Sequence, residues 1–131
     1  MVIPATDKVD LMFRAFSDRT RLRILNLLQS ESTKSGKLSI AQSSSQICVC
    51  DLMRVLDLPQ AKVSRHLAYL RKAGLVEGRK IQRWMYYRLL PPQGKVHKQL
   101  LECLAACPDE IKELPEDRKQ LGCCVDPGSC C

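Results

Sequence analysis

No stretch of this chain approaches the roughly 18 consecutive apolar residues that a membrane-spanning helix needs, so a spanning helix and a membrane partner are not expected. Residues 1–7 (Met1-Val2-Ile3-Pro4-Ala5-Thr6-Asp7) have neither a basic leader nor an apolar h-region, so no secretory signal is expected and the cytoplasm is the expected compartment. Aromatic residues are scarce at 5%, which leaves the core to Leu, Ile, Val and Ala. Only two histidines occur, His66 and His97, and the chain carries neither a phosphate-binding glycine loop nor a nucleophile–base constellation. Catalysis and an organic cofactor are therefore not expected. Cysteine is missing from the entire stretch before residue 48.

What is present points elsewhere. The 131 residues suit one compact core rather than two. Their formal charge of +7 suits a polyanionic partner such as nucleic acid. Eight cysteines occur in pairs: Cys48/Cys50, Cys103/Cys107, Cys123/Cys124 and Cys130/Cys131. In a reducing compartment paired thiols favour soft-metal binding or redox chemistry over structural disulfides.

Apolar spacing predicts helix from Asp10 to Gln29, broken at Ser17-Asp18, where Asp18 can cap the second part. The Ser-rich stretch 31–46 predicts a surface loop with at most a short strand around Leu38-Ile40. A short helix follows, with Leu52, Val55 and Leu56 on its buried side. After Asp57-Leu58-Pro59 comes a helix with Val63, Leu67 and Leu70 on one face, stopped by Gly74. LVEGRK and RWMYYRLL predict a β-hairpin, Pro91-Pro92 ends it, and a last helix runs from about Lys95 to Ala106. The expected division is thus a winged helix-turn-helix and dimerisation domain over residues 1–106 and a flexible, Cys-rich tail over 107–131.

Helix, turn, helix and basic hairpin in that order form the winged arrangement, in which the second helix reads the major groove of double-stranded DNA. Gln60 suits adenine, and Arg65 suits guanine or a phosphate. Lys62, Ser64, His66, Tyr69, Arg71, Arg79, Lys80 and Arg83 complete the candidate DNA-contacting set, the basic ones supplying sequence-independent attraction.

DRTRLRILNLL (18–28), CVCDL (48–52), VSRHLAYLRKAGLV (63–76) and RWMYYRL (83–89), taken in order, resemble the ArsR/SmtB family of metal-responsive repressors. The resemblance covers residues 10–106. It implies a mainly α fold with a β-hairpin wing, a homodimer joined through terminal helices, and repression of an operator that metal relieves. Members commonly carry a polar capping residue just before the reading helix, where this chain has Pro59. Proline suits a helix start but offers no cap hydrogen bond.

Cys48-Val49-Cys50 resembles the family's arsenic-sensing box, which often has a third cysteine where this chain has Met53. In extended chain, residues i and i+2 point the same way; in a helix they diverge by about 200°. One ion therefore cannot be held by both thiols of an unperturbed helix, and binding is expected to disturb DNA binding. Soft thiolates select As(III), Sb(III) or another thiophilic ion as inducer. Arsenite prefers three thiolates and methylarsenite two, so Cys123, Cys124, Cys130 and Cys131 are candidate additional ligands, either as a separate site or as completing donors. Cys103 and Cys107 share a helix face expected at the dimer interface, where core packing is favoured over ligation. The interfacial zinc site of some relatives is not expected, because His97 and Glu102 lack the required Asp-x-His pair. A Cd(II)/Pb(II) sensor and a thiol redox switch are the alternative readings.

Overall fold

Helix breaking at Ser17-Asp18 sets the first corner of the fold. In the computed structural model, which describes residues 5–34 and 46–122, helix α1 (Ala5–Phe16) ends there and α2 (Arg19–Lys34) begins. The Asp18 carboxylate accepts from the Arg21 backbone N–H at 3.0 Å, satisfying one of the amides that open α2. The Arg21 side chain also donates to the last carbonyls of α1, Ala15 O at 3.1 Å and Arg14 O at 2.8 Å, so it closes the end of α1 while Asp18 caps the start of α2. The strand expected around Leu38-Ile40 lies outside the described residues.

Next come β1 (Ile47–Cys48), α3 (Val49–Leu56), α4 (Gln60–Lys72), β2 (Val76–Ile81), β3 (Trp84–Leu89) and α5 (Lys95–Ala106). A 3-10 turn (Cys107–Asp109) leads to α6 (Glu113–Gly122). The strands form one antiparallel sheet in the order β1-β3-β2, and the fold is the mainly α winged helix-turn-helix expected.

Helix α2 lies at the centre. Ile24, Leu25, Leu27 and Leu28 are fully buried, a span too wide for one amphipathic stripe, because α1, α4, α5, α6 and β3 all pack around it. Leu52, Val63, Leu67, Leu70 and Leu75 complete the core from the helix-turn-helix side. Each such side chain contributes about 1.5–3 kcal/mol of transfer free energy.

Local chemistry sets the ends of α4. Pro59 is its N-cap with an extended backbone, and its carbonyl accepts from Lys62 and Val63 without any side-chain cap. At the other end Gly74 has φ +78°, Leu75 N–H donates to Leu70 O, and Gly74 N–H donates to Arg71 O. These two bonds form the αL helix stop that glycine favours.

The expected flexible tail beyond residue 106 is not what the structure shows through residue 122. Helix α6 packs on α2 and α3, with Leu114, Asp117 and Leu121 buried. Arg23 grips Asp117 through two bonds of 2.7 and 2.9 Å, Arg19 pairs with Glu113 at 2.7 Å, and Asn26 donates to Leu114 O at 2.9 Å. The polar composition of this segment reflects docking by ion pairs rather than by an apolar stripe.

Candidate functional site: a reading helix, a wing and a buried thiol pair

Helix α4 buries Val63, Leu67 and Leu70 and leaves Gln60, Lys62, Ser64, Arg65 and Arg71 exposed. That split is the one a groove-reading helix requires. Two of the expected contacts face inward instead. Tyr69 lies under Arg21, whose guanidinium carbon is 4.2 Å from the ring centroid, and His66 Nδ1 is 3.9 Å from the Asp18 carboxylate. Burial lowers the His66 pKa, partly opposed by Asp18 and reinforced by Arg21 and Arg65. His66 and Tyr69 thus join α4 to the α1–α2 corner, while their exposed neighbours are available to DNA.

The wing carries exposed Arg79 and Lys80 on β2 and exposed Arg83 in the turn. Ile81 pairs with Trp84, so Gln82 and Arg83 form a two-residue turn, with Gln82 at φ 58°. Between residues 60 and 83 the bases are Lys62, Arg65, Arg71, Lys72, Arg79, Lys80 and Arg83, and the one acid is Glu77. Arg88, its cross-strand partner, neutralises Glu77 through an ion pair. The field over α4 and the wing is therefore positive, as phosphate attraction demands.

Cys48 and Cys50 straddle a strand–helix junction. Cys48 is the second residue of β1, paired with Tyr86 of β3, and is also the extended N-cap of α3 (φ −68°, ψ 142°) without a side-chain cap bond. Cys50 lies in the first turn of α3, and both residues are buried, at 3% and 6% exposure. The pair thus stands at the start of the helix, with Cys50 inside it and Cys48 in the strand before it. Met53 packs half-buried against the core. Cys50 is disulfide-bonded, whereas Cys48, Cys103 and Cys107 are free thiols.

Among the described residues, Cys103 and Cys107 do not join the pair. Cys103 is exposed and Cys107 half-buried, so they are not core thiols of the protomer; Cys107 Sγ donates to Cys103 O at 3.4 Å. Burial is the largest cause of a raised Cys107 pKa, with Cys103 and Glu110 adding to it. His97 is buried on α5, accepting from Gln93 N–H at 3.3 Å, and Glu102 is exposed. Cys123, Cys124, Cys130 and Cys131 lie outside the described residues. Among the described residues no group of three or more His, Cys, Asp or Glu side chains is placed to hold a metal ion.

Residues 41–78, which span the thiol pair and the helix-turn-helix, match the profile described as "Bacterial regulatory protein, arsR family". Across 121 residues the chain is 31% identical to the arsenical resistance operon repressor of Escherichia coli K12, covering 92% of each. The chain belongs to the ArsR family. It is also 32% identical over 82 residues to the cadmium resistance regulatory protein CadC of Listeria innocua, covering 63% of this chain and 58% of CadC. The solved structure of HlyU from Vibrio cholerae shares its fold, with a TM-score of 0.60 and 26% identity over 83% of this chain and all of HlyU. This chain is thus a helix-turn-helix regulatory protein of the arsR family, and the relatives named above carry the names of transcriptional regulators. Sequence reasoning missed Arg21 and Tyr86 as parts of this apparatus. Arg21 lies within DRTRLRILNLL (18–28), but nothing in that stretch marks its contact with Tyr69, and the pairing of Tyr86 with Cys48 joins residues far apart in the chain.

Proposed function

We propose that the chain binds operator DNA as a cytoplasmic homodimer and is released when As(III), Sb(III) or methylarsenite is captured by the thiolates of Cys48 and Cys50. The observation that carries this reading is the position of the pair. Cys48 belongs to the sheet that ends in the wing, and Cys50 belongs to α3, which packs against the reading helix. An ion that draws the two sulfurs together acts on both DNA-contacting elements at once. DNA and ion then oppose each other with equal coupling, typically about 1–3 kcal/mol per site, and a dimer has two sites.

Gln60, Lys62, Ser64, Arg65, Arg71, Arg79, Lys80 and Arg83 contact the operator in this reading, with His66 and Tyr69 holding α4 in place. Dimerisation uses the terminal helices α1 and α5; Phe13 of α1, 56% exposed, supports an apolar partner on that side. Soft As(III) is favoured over Cd(II) because no thiol precedes Cys48 to extend the site. The test is a mobility-shift titration of the operator complex with arsenite, methylarsenite and Cd(II). Arsenite or methylarsenite should release the DNA, and Cys48→Ser/Cys50→Ser should bind DNA but not respond.

A thiol redox switch is the second reading, favoured by the disulfide at Cys50. Release by peroxide with no response to arsenite would establish it in place of the metalloid reading.

A further inference from the structure

We infer that Arg21 is a positioning residue for the reading helix: from the corner between α1 and α2 it sets the roll of α4, and with it the preference for one DNA sequence over another. The inference rests on the reading of α4 as the helix that enters the major groove. It assigns to that task a residue outside both α4 and the wing.

The Arg21 guanidinium is engaged from two sides. Its Nε donates to Ala15 O at 3.1 Å and its Nη2 to Arg14 O at 2.8 Å, both at the carbonyl end of α1, where the helix dipole favours a cation. These bonds leave the guanidinium in the plane of its N–H groups, so its flat face is free to cover Tyr69, with Cζ 4.2 Å from the ring centroid. One turn earlier on the same flank of α4, His66 Nδ1 is 3.9 Å from the carboxylate of Asp18. That carboxylate also accepts from the Arg21 N–H at 3.0 Å. Burial lowers the His66 pKa, and the charges of Arg21 and Arg65 lower it further against the pull of Asp18. Arg21 thus stands inside the positive field of α4, and the carbonyls of α1 offset the repulsion.

Val63, Leu67 and Leu70 are fully buried and set how deep α4 sits, but apolar contacts are non-directional. A directional contact on the flank fixes the roll of the helix about its axis. Side chains reach about 5–6 Å from a helix axis, so a roll of about 10° moves their tips by about 1 Å. That displacement spoils a bidentate base contact, whose donors and acceptors must meet within a few tenths of an ångström. Phosphate attraction is longer-ranged and tolerates it. Losing the Arg21–Tyr69 contact therefore falls on sequence preference and spares the electrostatic attraction.

The test compares a duplex selected by the parent chain from a random-sequence pool with a scrambled duplex of equal length and composition, each across a salt series. Arg21→Met should bind the selected duplex about tenfold more weakly, the scale of one lost base contact, and the scrambled duplex within about twofold, with an unchanged salt slope. Arg21→Lys should show the same loss, because an ammonium keeps the charge but lacks the planar fork. Tyr69→Leu should match it, and Arg21→Met/Tyr69→Leu should lose no more than either change alone, as one shared contact requires. A salt slope lowered by about 0.9 in Arg21→Met, an unimpaired Arg21→Lys, or additive losses would overturn the inference. So would equal losses on both duplexes, which mark a general weakening of the fold. The underlying reading fails separately, if Gln60→Ala/Arg65→Ala leaves the preference for the selected duplex intact.

Discussion

Asp117→Asn tests how α6 is held. The Asp117 side chain is 5% exposed and accepts two charge-assisted bonds from a guanidinium that is itself 21% exposed. The hydrogen bond to Asp117 is the main reason that the Arg23 pKa is raised. Removing one partner of a fully buried pair costs about 3–5 kcal/mol, because the other charge is left unmatched. Here water reaches part of Arg23, and Glu113 Oε2 lies 3.9 Å from its Nε, so the expected cost is about 2 kcal/mol. For a domain of this size that corresponds to a fall in Tm of roughly 8 °C. Urea titration reads the global loss, and amide hydrogen exchange over residues 114–122 reads local release of α6. Arg23→Met/Asp117→Leu should recover much of the loss, since a matched apolar pair leaves no stranded charge. A loss below about 0.5 kcal/mol, with unchanged exchange in α6, would place the pair among ordinary surface ion pairs and refute the argument.

Three further outcomes are expected. Gly78→Ala should destabilise by about 1–3 kcal/mol in chemical denaturation, because its Cβ would lie 2.8 Å from Cε1 of the buried Tyr87 ring. His97 has a pKa lowered by burial from 6.5, so the native state takes up a proton less readily than the unfolded chain. Stability attributable to His97 is therefore full above about pH 6.5 and falls as the pH drops toward the lowered folded value; urea midpoints from pH 7.5 to 5 should flatten in His97→Gln. Arg79→Ala/Lys80→Ala should weaken operator and random DNA alike and reduce the salt slope by about 1.8, roughly 0.9 for each lost phosphate contact; an unchanged slope would remove the wing from the phosphate set.

What could be read from the chain alone was set by local rules. Apolar spacing placed α2, α4 and α5, the Asp18 break and the Gly74 stop followed from capping chemistry, and alternation marked the hairpin. The bases of α4 and the wing, together with Cys48-Val49-Cys50, stood out in the sequence as candidate DNA-contacting and thiol groups. Tertiary structure decided where those groups act. Cys48 belongs to a strand because Tyr86 pairs with it, and His66 and Tyr69 turn inward because Asp18 and Arg21 meet them. Helix α6 docks because Asp117 finds Arg23 across 94 residues of sequence. Such contacts depend on two distant segments meeting in one register, and no periodicity within either segment records the partner. The basic helix and the thiol pair were therefore legible early, whereas the link between them exists only in the folded chain.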